Sequence, residues 1–178
     1  MECDDHDSAA SATLARPREF ETTSPSARRT EAIGYCLGRL LRLGDVLCVS
    51  GDLGAGKTVL SRGIGAGWGA TTPLTSPTYN LVHEHERAGD KARLFHLDLY
   101  RVSGLQDAES LSIDEILDCG GLVIFEWPER ILDSLPAERL WIDIMMRADD
   151  GRDLLFEARG DGYISLLNAL RRALAIRR

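Results

Sequence analysis

Residues Asp45–Thr58, DVLCVSGDLGAGKT, decide the fold. The first half is short, apolar and partly β-branched, the composition of a buried strand. The second half, Gly51-Asp52-Leu53-Gly54-Ala55-Gly56-Lys57-Thr58, fits G-x-x-x-x-G-K-[ST] at every position, and a helical pattern begins at about Lys57. Strand, glycine loop and helix in that order form a phosphate cradle. Glycines let the loop bend so that successive backbone N–H groups turn inward, and the helix N-terminus adds its partial positive charge. Lys57 is placed to bridge the β and γ phosphates, and the Thr58 hydroxyl to ligate Mg²⁺. Lysine usage sharpens the reading. Of 21 basic residues only Lys57 and Lys91 are lysine, so a chain that otherwise uses arginine puts a compact ammonium where a phosphate wants one.

Two further apolar runs end on carboxylates: LFHLD at Leu94–Asp98 and LVIFE at Leu122–Glu126. In an α/β sheet, ligands gather beyond the carboxyl ends of the strands, so Asp98 and Glu126 are expected on the same edge as the glycine loop. Mg²⁺ is a hard ion that takes carboxylates, hydroxyls, phosphates and water. Asp98 suits a direct or outer contact to it, and Glu126 suits either ligation or orientation of an attacking water. Trp127 follows at once, and a large indole leaving a strand has core packing as its default. The segment Thr75-Ser76-Pro77-Thr78-Tyr79 combines hydroxyls with a rigid proline. It reads either as a switch closing over the terminal phosphate through Thr78 or as a plain capping turn. His83 and His85 share one strand face, but no third metal ligand accompanies them.

The rest of the chain frames this site. With 178 residues, 44% hydrophobic and 28% charged, it has room for one domain with a full core. Residues 1–19 are rich in Ala, Ser and charge and are expected to be a disordered leader, with residues 20–178 a single domain. Ser24 and Pro25 read as the start of a helix carrying Ile33, Cys36, Leu37, Leu40 and Leu41 until Gly44. Residues 80–86 and 91–97 read as a hairpin around RAGD, and residues 104–118 as helix or helical turn. Residues 140–146 and 153–157 form a second hairpin around ADDG, before an amphipathic closing helix over 163–176. Strands interleaved with helices predict an α/β, P-loop NTPase-like three-layer fold whose central sheet is mixed but mainly parallel.

Charge and cysteine usage narrow the function. A net charge of −7 argues against gripping nucleic acid directly, since phosphate binding rests on clustered Lys and Arg. Arg171, Arg172, Arg177 and Arg178 at the C-terminus read as a solvated helix face complementing the dipole. Cysteines 3, 36, 48 and 119 have neither zinc nor disulfide spacing. No apolar run approaches the ~18 residues of a membrane span, and the acidic N-terminus is unlike a secretory signal, so a cytoplasmic location is expected. A GTPase would be expected to carry N-K-x-D, but neither Asn80 nor Asn168 precedes lysine. A small-molecule kinase would be expected to carry a basic lid, yet residues 101–118 offer only Arg101 among five acids.

GDLGAGKT at 51–58, SPTYNLV at 76–82, FHLDLYR at 95–101 and FEWPER at 125–130, in this order, closely resemble the TsaE family. The resemblance covers about residue 20 to the C-terminus. It implies an ATPase binding ATP and Mg²⁺, with Gly51–Thr58 as nucleotide loop, Thr78 as switch threonine, Asp98 as the Walker B acid and Glu126 as the Mg²⁺-linked acid. It also implies that Trp127 and Arg152 lie by the nucleotide. Family members support the TsaD and TsaB subunits, which transfer threonylcarbamoyl to the adenosine next to the anticodon in tRNAs reading codons that begin with A. Any tRNA contact would then pass through the complex. The chain has Val59 where the family often has a second threonine, which leaves only a backbone N–H there, and its acidic leader is extra. A stand-alone kinase and a nucleotide sensor without turnover are the alternative readings.

Overall fold

The computed structural model describes residues 18–76, 81–102 and 111–176. Seven strands form one sheet: β1 (Glu19–Ser24), β2 (Val46–Gly51), β3 (Val82–Glu86), β4 (Arg93–Asp98), β5 (Leu122–Glu126), β6 (Arg139–Met146) and β7 (Arg152–Arg159). Their order across the sheet is β1-β7-β6-β2-β5-β4-β3. The central strands β6, β2, β5 and β4 are mutually parallel, and antiparallel partners close both margins. This is the mixed α/β sheet expected. The parallel strands are buried on both faces, which is why Val46–Val49 and Leu122–Phe125 are continuously apolar rather than alternating.

Helices α1 (Ala27–Gly38), α2 (Lys57–Trp68) and α4 (Asp161–Ala175) cover one face of the sheet, packing Ile33, Leu37, Leu60, Ile64, Leu167 and Leu170 on Leu47, Val49, Ile124 and Ile142. Short α3 (Ile113–Asp118) and the turns after Trp127 cover the other, where Ile113 and Ile131 meet Cys48, Phe95, Val123 and Phe125. The result is three layers. Between α1 and α2 the backbones themselves touch. A Cβ on Gly34 would lie 2.3 Å from the Leu60 carbonyl oxygen, and one on Gly38 2.1 Å from that of Ile64. In return, Gly63 and Gly67 sit under the carbonyls of Glu31 and Tyr35, and a Cβ on either would lie only 2.1 Å from the facing carbonyl oxygen. Two glycine pairs at helical spacing thus seat α2, whose first turn carries Lys57 and Thr58.

Several expectations shift at their edges. The first helix begins at Ala27, capped by the Ser26 hydroxyl, which accepts from Arg29 N–H. Ser24 instead ends β1, where its hydroxyl shares a hydrogen bond with Thr30. Strand β1 starts at Glu19, within the stretch expected to be a leader; residues 1–17 lie outside the described residues. Of the helical reading over 104–118, the described part is α3 together with the turn before it. Arg171 is not merely solvated: it donates to the Glu19 carbonyl and lies over the Phe20 ring, fastening α4 to β1. Cys36 and Cys48 are buried and Cys119 is exposed, all as free thiols. Among the described residues no helix is long and apolar enough to cross a membrane.

Candidate nucleotide site

The four parallel strands deliver their carboxyl ends to one edge, and three of them, β2, β4 and β5, bring a piece of the site. After β2 comes the glycine loop. Gly51 (φ 142°) admits no side chain, since a Cβ there would lie 2.4 Å from the Ile144 carbonyl oxygen. Gly54 and Gly56 both have positive φ, at 82° and 109°. Gly56 is the N-cap of α2 and offers no side-chain acceptor, so the N–H groups of the first turn are left for a ligand. Such a terminus fits an anionic phosphate. Lys57 folds back over the loop: its ammonium donates to the carbonyls of Gly51 (2.6 Å) and Asp52 (2.8 Å) and lies 3.6 Å from the centre of the Trp127 ring. Burial pulls the Lys57 pKa down, against the opposing charges of Glu126, Glu129, Asp98 and Asp52.

Glu126 ends β5 and is almost wholly buried, at 1% exposure. A buried carboxylate is tolerated only when its oxygens are satisfied. Thr58 Oγ1 donates to Oε2 at 2.9 Å, while Ser61 Oγ and His96 Nε2 both reach Oε1 at 2.8 Å. An ionised carboxylate only accepts, so Nε2 carries the imidazole proton. Burial by itself raises the Glu126 pKa; the hydrogen bond and electrostatic attraction of His96, with the hydrogen bonds from Ser61 and Thr58, outweigh it and hold the carboxyl below its ordinary value. Asp98 ends β4 directly opposite Glu126 in the parallel register. It accepts from Ser76 Oγ at 2.6 Å and from Tyr100 N–H at 3.1 Å.

A cavity of about 380 Å³ unites these groups. Leu53, Gly54, Gly56, Lys57, Thr58 and Val59 line one side, and Asp98, Glu126 and Trp127 face them. Hydroxyl and carboxylate oxygens together with a bare helix N-terminus are the donor set that Mg²⁺ and a polyphosphate require. Trp127 therefore lines the cavity while its half-buried side chain also packs against the core, as its default reading expected. It adopts φ 61°, rare for a bulky side chain, and its ring tilts against Tyr100 at 5.0 Å between centres. Arg152, at the start of β7, meets the loop from behind: Nε donates to the Ala55 carbonyl at 2.8 Å and Nη1 to the carbonyls of Asp150 and Gly151. Thr78 lies outside the described residues. Of His83 and His85, the second shares a hydrogen bond with Thr72, and no cluster of three potential metal ligands occurs among the described residues.

The residues that sequence reasoning left without a role are Ser61, His96 and Tyr100. Their signal was spacing. Ser61 stands three residues after Thr58 on one helix face, and His96 two residues before Asp98 on one strand face. Nothing in a linear reading says that both faces meet at Glu126.

Comparison with known proteins agrees with this geometry. The family model for "Threonylcarbamoyl adenosine biosynthesis protein TsaE" matches residues 24–154. The tRNA threonylcarbamoyladenosine biosynthesis protein TsaE of Bacillus subtilis is 36% identical over 154 residues, covering 86% of this chain and 94% of that protein. Its counterpart in Streptomyces coelicolor is 40% identical over 122 residues, or 68% and 82%. The crystal structure of YdiB from Bacillus subtilis superposes with a TM-score of 0.71 at 33% identity, covering 86% of this chain and 95% of that one. With a matched model spanning the loop, both acid-ended strands and the β6–β7 turn, the chain belongs to the TsaE family.

Proposed function

We propose that this protein is a weak ATPase that binds Mg·ATP at the β2–α2 loop and supports threonylcarbamoyl modification of tRNA. It would do so as a subunit acting with TsaD and TsaB, without itself performing the transfer. The observation carrying the proposal is the convergence of Thr58, Asp98 and Glu126 on the cavity at the loop mouth. The loop N–H groups would hold the phosphates, and Lys57 would leave its two carbonyls and the Trp127 ring for the β and γ oxygens. Thr58, with Glu126 or Asp98, would hold Mg²⁺, which supplies charge neutralisation at the transferring phosphoryl group. Whichever acid is not bound to the ion is left to orient the attacking water. Arg152 would brace the loop through Ala55, and Thr78 would close from the segment that follows Ser76. Trp127 and Tyr100 would flank the nucleotide.

Single-turnover hydrolysis of ATP, with and without the two partner subunits, tests this. Expected are slow hydrolysis alone, acceleration with partners, and a loss of ~10²-fold or more in Glu126→Gln. Turnover indifferent to that substitution removes Glu126 from the mechanism. Transfer of phosphate to an added metabolite replaces the ATPase by a kinase.

A further inference from the structure

Glu126 is held asymmetrically. Both buried donors that are not at the cavity wall, Ser61 Oγ and His96 Nε2, converge on Oε1, while Oε2 meets only Thr58, the hydroxyl at the loop mouth. Ser61 and His96 are fully buried, so neither bond is exchanged with solvent in the folded state. His96 carries a further cost: its Nδ1 has no hydrogen-bond partner among the described residues, although it is buried. A core position of β4 flanked by Phe95 and Leu97 could be filled by leucine without leaving a bare ring nitrogen. The imidazole is therefore accounted for by its Nε2 end alone.

We infer that Ser61 and His96 are positioning residues that anchor Oε1 of Glu126, so that Oε2 is presented with Thr58 Oγ1 as a fixed, one-oxygen ligand for Mg²⁺. This rests on the nucleotide-site reading above and assigns two residues to it. A carboxylate free to rotate can chelate with both oxygens or turn away; one oxygen pinned by two donors cannot. The helix and strand that supply the pins are themselves rigid, since α2 is seated on α1 by backbone contact and β4 lies inside the sheet. Hydrogen-bond partners of a metal-binding group set its orientation and its basicity, and their loss typically costs about 10–100-fold in metal affinity or activity.

The test is binding, not turnover. ADP is titrated into the full chain with and without Mg²⁺, and the ratio of the two affinities measures how well the site uses the ion. His96→Leu is expected to leave the Mg²⁺-free affinity within about threefold and to cut the Mg²⁺-dependent gain by roughly 10-fold or more. His96→Gln, which can still place an N–H near the old Nε2, is expected to recover most of that gain. Ser61→Ala, a minimal change that cannot prevent folding by bulk, is expected to lower it in the same direction. Retention of the full gain in His96→Leu and Ser61→Ala overturns the inference while leaving the nucleotide site intact. So does equal loss in His96→Leu and His96→Gln accompanied by equal losses of thermal stability, because that is a packing defect. If the unaltered protein binds no ADP, the nucleotide reading itself fails and this inference falls with it.

Discussion

A tryptophan with left-handed backbone, holding a lysine ammonium over its ring, is the most local sign of the site. The cation–π contact between Lys57 and Trp127 is made while that ammonium also donates to two loop carbonyls. Phosphate oxygens are stronger partners than any of these, so on the proposed function a bound nucleotide would draw the ammonium off the ring and change the indole's surroundings. Trp127 emission is accordingly expected to change on titration with Mg·ADP, and Trp127→Phe to abolish the change. Persistence of the full signal in that variant would assign it to Trp68 or Trp141. At this scale much of the site was legible. The loop glycines, Lys57 and Thr58 are local chemistry in contiguous residues, and Asp98 and Glu126 announced themselves by ending apolar runs. Ser61 and His96 were not legible, because their role depends on α2 lying over β4 and β5, a tertiary fact absent from either segment alone.

Elements are positioned by what they exclude as much as by what they contain. Helix α2 carries Lys57, Thr58 and Ser61 at its start, and it sits where it does because α1 presents glycines to it. Gly38→Ala and Gly63→Ala would each drive a Cβ to 2.1 Å from a backbone oxygen that cannot step aside. Each is expected to destabilise the protein by ~1–3 kcal/mol, read as a lower urea midpoint, and to weaken nucleotide binding by moving the loop. Gly162, in the first turn of α4, has nothing within 4 Å of the same added atom. Gly162→Ala is expected to stabilise by ~0.5–1 kcal/mol, as helix propensity predicts. Equal responses at the three positions would contradict the tight α1–α2 seat. Helices with an apolar stripe and hairpins with turn signals were readable in advance. Strand β1 was not: EFETTS is polar, lies at the margin of the sheet and half-buries Phe20 and Thr22 while burying only Ser24 fully, so its signature is weak until β7 is there to pair with it.

Across the whole molecule, two buried acids limit stability at high pH. Burial pushes the Cys48 thiol up to about 12, and burial likewise pushes the Tyr163 hydroxyl, which accepts from Val46 N–H, up to about 12. Both pKa values are higher folded than unfolded. Their stabilisation is therefore complete below the unfolded values, near 9 for the thiol and 10 for the phenol, and is lost as pH rises toward 12. Urea midpoints are expected to fall steadily from about pH 9 upward, and the Cys48→Ala, Tyr163→Phe double variant to fall less steeply over that range. An identical slope in both proteins would place the alkaline weakness elsewhere. The same global view explains the site: strands distant in sequence become neighbours only when the parallel centre assembles, and that assembly brings Asp98 level with Glu126 beside the loop. The most direct measurement is calorimetric titration of Mg·ADP into the pure protein and into Lys57→Ala. One site per chain is expected in the unaltered protein, with loss of most of that binding in the variant. Absence of uptake in the first, or undiminished uptake in the second, would contradict the nucleotide-site reading.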